Sequence, residues 1–178
     1  MVVVTDYGVS MDIYVESNGT VEWSGNIIPC AIGASGMTSD KREGDQATPI
    51  GWFALRRVYY RADRVSRPRT SLPVDPLDPL DAWSDDPEDP AYNSLVRQPY
   101  RTSVELMWRE DHVYDIVVPL GFNDDPALSG KGSAIFLHIA RPDFSPTQGC
   151  VAVSVENLLR ILADCDETTR LCIESGRD

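Results

Sequence analysis

A histidine that closes one apolar run and a cysteine that opens the next are the residues of this chain best equipped for covalent chemistry. They lie in Ala134-Ile-Phe-Leu-His138-Ile-Ala-Arg141-Pro-Asp-Phe-Ser-Pro-Thr147-Gln148-Gly149-Cys150-Val151-Ala-Val153. A thiol is a weak nucleophile until it loses its proton, and a neighbouring imidazole can take that proton or stabilise the thiolate. His138 precedes Cys150 by twelve residues, too far for contact along one element but natural for the same-side ends of two adjacent strands. Gly149 has no Cβ, so the backbone can turn there and aim consecutive N–H groups at a developing oxyanion. The Cys150 N–H is the first candidate for that role, with the Gly149 N–H beside it. The pair alone leaves two readings open, because a cysteine among apolar residues and a strand-end histidine are also ordinary core and scaffold residues.

The elements that must position this pair read as mainly β. Residues 11–15 and 20–24 flank Asn18-Gly19, a strong hairpin signal. The apolar run 27–32 reads as a strand buried on both faces, broken by the glycines of 33–36. Gly44-Asp45-Gln46-Ala47-Thr48-Pro49-Ile50-Gly51-Trp52-Phe53 is a shaped turn feeding a strand over 52–60. Strands are expected at 103–108, 113–118, 133–140 and 169–174. One helix is expected over 154–163, with Ser154 as N-cap and Val155, Leu158, Leu159 and Leu162 as its apolar stripe.

Between residues 61 and 100 the character changes. Pro73, Pro76, Pro79, Pro87, Pro90 and Pro99 alternate with aspartates, a density that argues against helix interiors and central strands. The segment reads as a long irregular insertion, pinned by Trp83 and Tyr92, either a lid or cleft wall or a solvated excursion. The chain as a whole, 1–178, reads as a single domain.

Composition narrows the partners. A net charge of -12 argues against nucleic acid and against anionic lipid, both of which need clustered lysine and arginine. No run reaches the roughly 18–20 apolar residues of a membrane span. The first six residues lack the basic and apolar regions of a signal peptide. The four cysteines, Cys30, Cys150, Cys165 and Cys172, fall in no CxxC pair. With two histidines in the chain, no metal site and no cofactor are expected, and Cys30, Cys165 and Cys172 read as core residues.

The run His138…Thr147-Gln148-Gly149-Cys150-Val151 resembles the His…Ser-x-Gly-Cys-(Ile/Val) signature of the L,D-transpeptidase (YkuD-type) family. The 44–53 block resembles that family's Gly-Asp-x-x-Thr-Pro-x-Gly-x-Phe block in the expected order. The resemblance spans about residues 9–163. It implies a mainly β fold of packed mixed sheets with the cysteine in a cleft, and acyl transfer on peptidoglycan stem peptides. In that reading Cys150 is the nucleophile, His138 the base and then the acid, and backbone N–H groups at Gly149 and Cys150 hold the oxyanion. The acyl-enzyme passes to an amine acceptor, and carbapenem β-lactams acylate the same sulfur. The runners-up are hydrolysis at the same site, as a carboxypeptidase or cross-link endopeptidase, and a non-catalytic wall-binding module.

Two departures stand out. Thr147 replaces the usual serine, and Ala152 stands where the family commonly has an arginine. Arg141 or Lys131 could take over a substrate carboxylate, alongside Thr147 and Gln148. Asn123 and Asp124, just before the histidine strand, either orient His138 or line the cleft, or else form a turn by Asx chemistry. The resemblance implies the periplasm or cell envelope; the absence of a signal peptide leaves the cytoplasm open.

Overall fold

A computed structural model describes residues 11–176; the N-terminal stretch read for a signal peptide lies outside the described residues. Strands β1 (Ile13–Glu16), β2 (Thr20–Trp23) and β3 (Asn26–Pro29) form a meander, and Gly19 at φ +82° turns the first hairpin. Then follow β4 (Met37–Thr38), β5 (Thr48–Pro49), β6 (Gly51–Ala54), β7 (Val58–Tyr60), β8 (Val74–Pro76), β9 (Asp81–Ser84), β10 (Leu95–Arg97) and β11 (Val104–Leu106). A 3-10 turn at His112–Tyr114 leads into β12 (Ile116–Pro119), β13 (Phe136–Ile139), β14 (Val151–Val153), helix α1 (Val155–Asp164) and β15 (Arg170–Glu174). The fold is thus mainly β with several packed sheets and one helix among the described residues.

Two five-stranded sheets, both of mixed direction, carry the fold: β3-β2-β1-β15-β6 and β14-β13-β12-β7-β8. Their facing sides and α1 enclose one core, with Ile13, Val15, Ile116, Val118, Leu137, Ile139, Val151 and Val153 inside it. The second sheet is also covered on its other face. Residues of the opposite parity, Tyr59, Val117, Phe136 and Cys150, pack against Leu77, Met107, Val113 and Tyr114. This explains why β12, β13 and β14 are buried at every position: strands covered on both faces lose the apolar-polar alternation of half-buried ones.

The cover of that second face comes largely from residues 77–114, and here the structure differs from the sequence reading. The segment 61–100 is not irregular throughout. Asp81–Ser84 lies in a proline-free interval and forms the centre of a three-stranded sheet, β10-β9-β11. Pro76 ends β8, which sits at a sheet edge where a missing N–H costs no ladder bond. The aspartates organise turns and ion pairs: buried Asp89 accepts from Ser84 Oγ at 2.7 Å and Thr102 Oγ1 at 3.2 Å. Tyr92 donates to Glu43, and Trp83 Nε1 donates to Asn93 Oδ1 at 2.9 Å.

Three other expectations are corrected. The run 27–32 is not doubly buried: β3 is an edge strand, and Ile27 is 70% exposed. The expected strand over 52–60 is two strands, β6 and β7, in different sheets. The buried face of α1 is Leu158, Ile161 and Leu162, while Val155 and Leu159 face solvent; the i, i+3, i+4 stripe is set by where the helix meets the core. Ser154 does cap it, its Oγ accepting from the Asn157 N–H at 3.3 Å.

Candidate active site

Strand register brings the cysteine and histidine together. Strands β13 and β14 run parallel with His138 opposite Ala152 and Leu137 opposite Val151. Side chains alternate along a strand, so Cys150, two residues before Ala152, shares its face, and that is also the face of His138 and Phe136. Cys150 and His138 therefore lie diagonally across adjacent strands, each only 7% exposed, and both line one cleft of about 260 Å³. Gln148, Thr147, Arg141, Glu105, Arg109, Tyr114 and Asp85 also line it.

The histidine tautomer follows from its neighbour. Nδ1 sits 2.9 Å from the Ile139 carbonyl. A carbonyl can only accept, so Nδ1 carries the proton and Nε2 of the neutral ring is left as a base. Burial lowers the imidazole's pKa from 6.5 to about 4, with the Ile139 contact opposing and Arg109 and Arg141 adding to the fall. Burial also pushes the Cys150 thiol up to about 12, against the Phe136 N–H that points at it. Sγ accepts from that N–H at 3.3 Å and donates to the Ala134 carbonyl at 3.2 Å. The resting pair is a neutral thiol beside a neutral base.

The turn before the cysteine is held by a local clasp. Thr147 Oγ1 donates to the Cys150 carbonyl at 2.7 Å and accepts the Gly149 N–H at 3.1 Å. The Gly149 N–H is thus engaged in the resting structure. Gly149 itself has φ +132°, and a Cβ there would lie 2.8 Å from the Ala47 carbonyl oxygen. That carbonyl belongs to the 44–53 block, which forms the wall behind the cysteine turn. Residues 31–35 thread between the two: Thr147 N–H bonds Ile32 O, Ala34 N–H bonds Thr147 O, and Gly33 N–H bonds Thr48 Oγ1. Gly33 has no room for a side chain, since a Cβ would meet Gln46 O at 2.3 Å. Asp45 shapes the block by pairing with Lys41 and accepting the Ala47 and Arg42 N–H groups at 2.9 and 2.8 Å.

The sequence profile of the YkuD family, the L,D-transpeptidase catalytic domain, matches residues 2–173. The chain belongs to that family. No curated protein matches this sequence. Among solved structures, the helical cell shape determining protein Pgp2 from Campylobacter jejuni is similar at 16% identity and TM-score 0.47, covering 95% of this chain and 49% of that one. An L,D-transpeptidase from Mycobacterium smegmatis is similar at 12% identity and TM-score 0.43, covering 93% and 59%. The chain thus spans about half the length of these structures.

Within this YkuD domain the sequence-named residues divide. Thr147, Gln148 and Arg141 join the cysteine and histidine in the cleft, whereas Asn123, Asp124 and Lys131 do not. Asn123, at φ +47°, bonds Leu128 and Gly132 as a turn organiser, and Asp124 pairs with Arg56 at 2.8 Å. Ala152, in the place of the commonly found arginine, is buried and exchanges main-chain bonds with Ala31. The guanidiniums at the cleft are Arg141 and Arg109.

Arg109, Glu105 and Tyr114 were not legible beforehand. Arg109 chelates Asp111 at 2.7 and 2.8 Å, reaches Glu105 at 3.1 Å and lies 5.1 Å over the Tyr114 ring. The Tyr114 ring meets His138 edge-on at 5.2 Å, and its hydroxyl donates to Glu105 at 3.1 Å. Arg61 and Arg64 hold the Arg109 carbonyl at 2.8 and 3.2 Å. A glutamate inside the apolar run 104–108 was the one signal that could have pointed to this wall.

Proposed function

We propose that this chain is a cysteine acyltransferase that cross-links peptidoglycan stem peptides through a thioester on Cys150, in the periplasm or cell envelope. The observation that carries the reading is the shared strand face: thiol and imidazole open on one cleft, with the imidazole's Nε2 unprotonated and the thiol's proton still in place.

The carbonyl preceding the terminal D-residue of a donor stem enters the cleft. As it approaches, Nε2 of His138 takes the thiol proton while Sγ bonds the carbonyl carbon. Charge moves to the carbonyl oxygen, where the Cys150 N–H is the candidate donor; the Gly149 N–H joins only by leaving Thr147 Oγ1. Collapse breaks the C–N bond. The imidazolium protonates the departing amine, and a thioester and neutral His138 remain. An acceptor amine then attacks the thioester, and the proton it sheds through His138 returns to Sγ as the amide forms. Arg141 is 48% exposed and only 3.5 Å from Asp111, a loose pair well suited to exchange for a substrate carboxylate. No such pair is available at Ala152.

The neutral resting pair suits this cycle. A preformed thiolate in a buried site is costly, whereas a proton moving during attack leaves little isolated charge. Carbapenems are expected to acylate the same sulfur. The test is to incubate purified protein with muropeptide monomers whose stems end in a D-residue. Cross-linked dimers and free D-residue are expected, both lost in Cys150→Ala. Trimmed monomers without dimers would show hydrolysis instead, and unchanged monomers would overturn the enzyme reading.

A further inference from the structure

We propose that Tyr114, moored by Glu105, is a positioning residue that holds the His138 imidazole in the orientation that leaves Nε2 free as the base. This rests on the acyl-transfer reading above, in which that nitrogen takes up and gives back a proton in both halves of the cycle. The need for such a residue follows from how little else fixes the ring. Among the described residues one hydrogen bond reaches the imidazole, from Nδ1 to the Ile139 carbonyl at 2.9 Å. A single bond of this kind is a pivot. The ring can turn over about Cβ–Cγ at the cost of one ordinary hydrogen bond, and the tautomer preference goes with it. Once the imidazolium forms, both nitrogens carry protons. A ring held in one orientation then ensures that the Nε2 proton is the one passed on.

Tyr114 supplies the second point of contact. Its ring meets the imidazole edge-on, with centroids 5.2 Å apart and planes at 77°, and meets Phe136 the same way at 5.7 Å. Strand order explains the encounter. Val117 of β12 sits opposite His138, and Tyr114 ends the 3-10 turn that feeds β12, packed on the face that carries Val117, Phe136 and Cys150. A leucine of like burial would fill this space without fixing a plane, because edge-to-face contacts depend on angle.

Tyr114 is itself fixed at both ends. Its hydroxyl donates to Glu105 Oε1 at 3.1 Å, and Arg109 reaches the same oxygen at 3.1 Å while lying 5.1 Å over the tyrosine ring. Asp111 in turn chelates Arg109. At the main-chain end, Asp115 anchors the turn. Its N–H bonds the His112 carbonyl at 3.2 Å, its carbonyl accepts the Arg61 N–H at 2.9 Å, and its carboxylate pairs with Arg64 at 2.9 Å. Burial pushes the Tyr114 pKa well above the ordinary tyrosine value, with Cys150 and Glu105 adding to the rise. The hydroxyl therefore keeps its proton and remains a donor to Glu105. Glu105 sets how far the ring reaches, and the ring sets the imidazole plane.

The test reads the ring first and the reaction second. Nitrogen NMR of isotope-labelled histidine should show His138 as the Nδ1–H tautomer in wild-type protein. In Tyr114→Leu the signals should move toward the average of the two tautomers, and in Tyr114→Phe, which keeps the ring, they should stay near wild type. Release of the terminal D-residue from muropeptide monomers should slow at least about tenfold in Tyr114→Leu and recover most of the way in Tyr114→Phe. If urea unfolding shows Tyr114→Leu to be unfolded, Glu105→Ala, which frees the hydroxyl, takes its place and should mix the tautomers and slow release. Glu105→Gln, which keeps an acceptor, should do neither. A wild-type ring already mixed between tautomers overturns the positioning role, as does an unchanged tautomer or release rate in Tyr114→Leu or its stand-in. Tyr114→Phe as slow as Tyr114→Leu also overturns it, by assigning the work to the hydroxyl. If wild-type protein releases no D-residue, the acyl-transfer reading fails, and the nitrogen spectra alone decide whether Tyr114 holds the ring.

Discussion

Burying a neutral histidine in the cleft beside Cys150 sets a specific acid sensitivity. The His138 pKa is about 4 in the folded protein, lowered chiefly by burial, against an ordinary 6.5 when the chain unfolds. Between those values the unfolded chain binds a proton that the folded protein refuses, so stability falls as pH falls from 6.5 toward 4 and levels off below. With about 1.4 kcal/mol per decade, the loss is about 2 kcal/mol by pH 5 and about 3 kcal/mol by pH 4. Glu105, raised by burial, works in the opposite direction over part of this range. The aspartates with lowered pKa values, such as Asp45 and Asp111, lose their contributions below the ordinary carboxylate range. A difference between wild type and His138→Gln removes these shared contributions. Urea unfolding at pH 7, 5 and 4 should show wild type losing about 3 kcal/mol more than the variant over the full interval. Parallel losses in the two proteins, or an NMR titration of His138 near 6.5, would refute the argument that the ring is held neutral by burial.

The thiol makes a companion prediction. With its pKa pushed up to about 12 by burial, alkylation of Cys150 by iodoacetamide should rise about tenfold per pH unit through pH 10 without levelling; a plateau near pH 8–9 would contradict a neutral resting thiol. Gly149→Ala forces a side chain against the Ala47 carbonyl at a φ of +132° and should cost about 1–3 kcal/mol in thermal or urea unfolding, with loss of Cys150 acylation. Asn93 ties the 61–100 segment to the site: it accepts from Trp83 and from the Ala134 N–H at 3.0 Å, and donates to Phe122 and Asn123 carbonyls at 3.0 and 2.8 Å. Asn93→Ala strands these groups and should cost about 3 kcal/mol by urea unfolding. Because the Ala134 carbonyl receives the Cys150 S–H, acylation by a carbapenem should slow in the same variant, read by intact mass.

How much of this was visible in the sequence depends on how local each cause is. The Asn18-Gly19 hairpin and the Ser154 cap are settled by neighbours in the chain, and both are where the sequence put them. The exposed Ile27 and the rotated stripe of α1 depend on which surface each element meets, and a hydrophobic pattern cannot reveal a partner that is distant in the chain. Prolines at 73–99 argued against a central strand. Yet β9 needed only four residues between them, and its Trp83 packs against a cluster holding Phe136 and Met107, which lie beyond the prolines. The candidate site was legible in its motif residues, which share one cleft, and not in its walls. Cys150, His138 and Gly149 carry motif spacing, whereas Tyr114 is one tyrosine among several until the fold lays its ring against His138. The two motif blocks are joined by residues 31–35, which in sequence read only as the end of an apolar strand and the glycines that break it. Gly33 and Gly149 are the points where main chains approach too closely for a Cβ, so the block at 44–53 can back the cysteine turn only if both stay bare. That mutual fit, rather than either motif alone, fixes where the sulfur points.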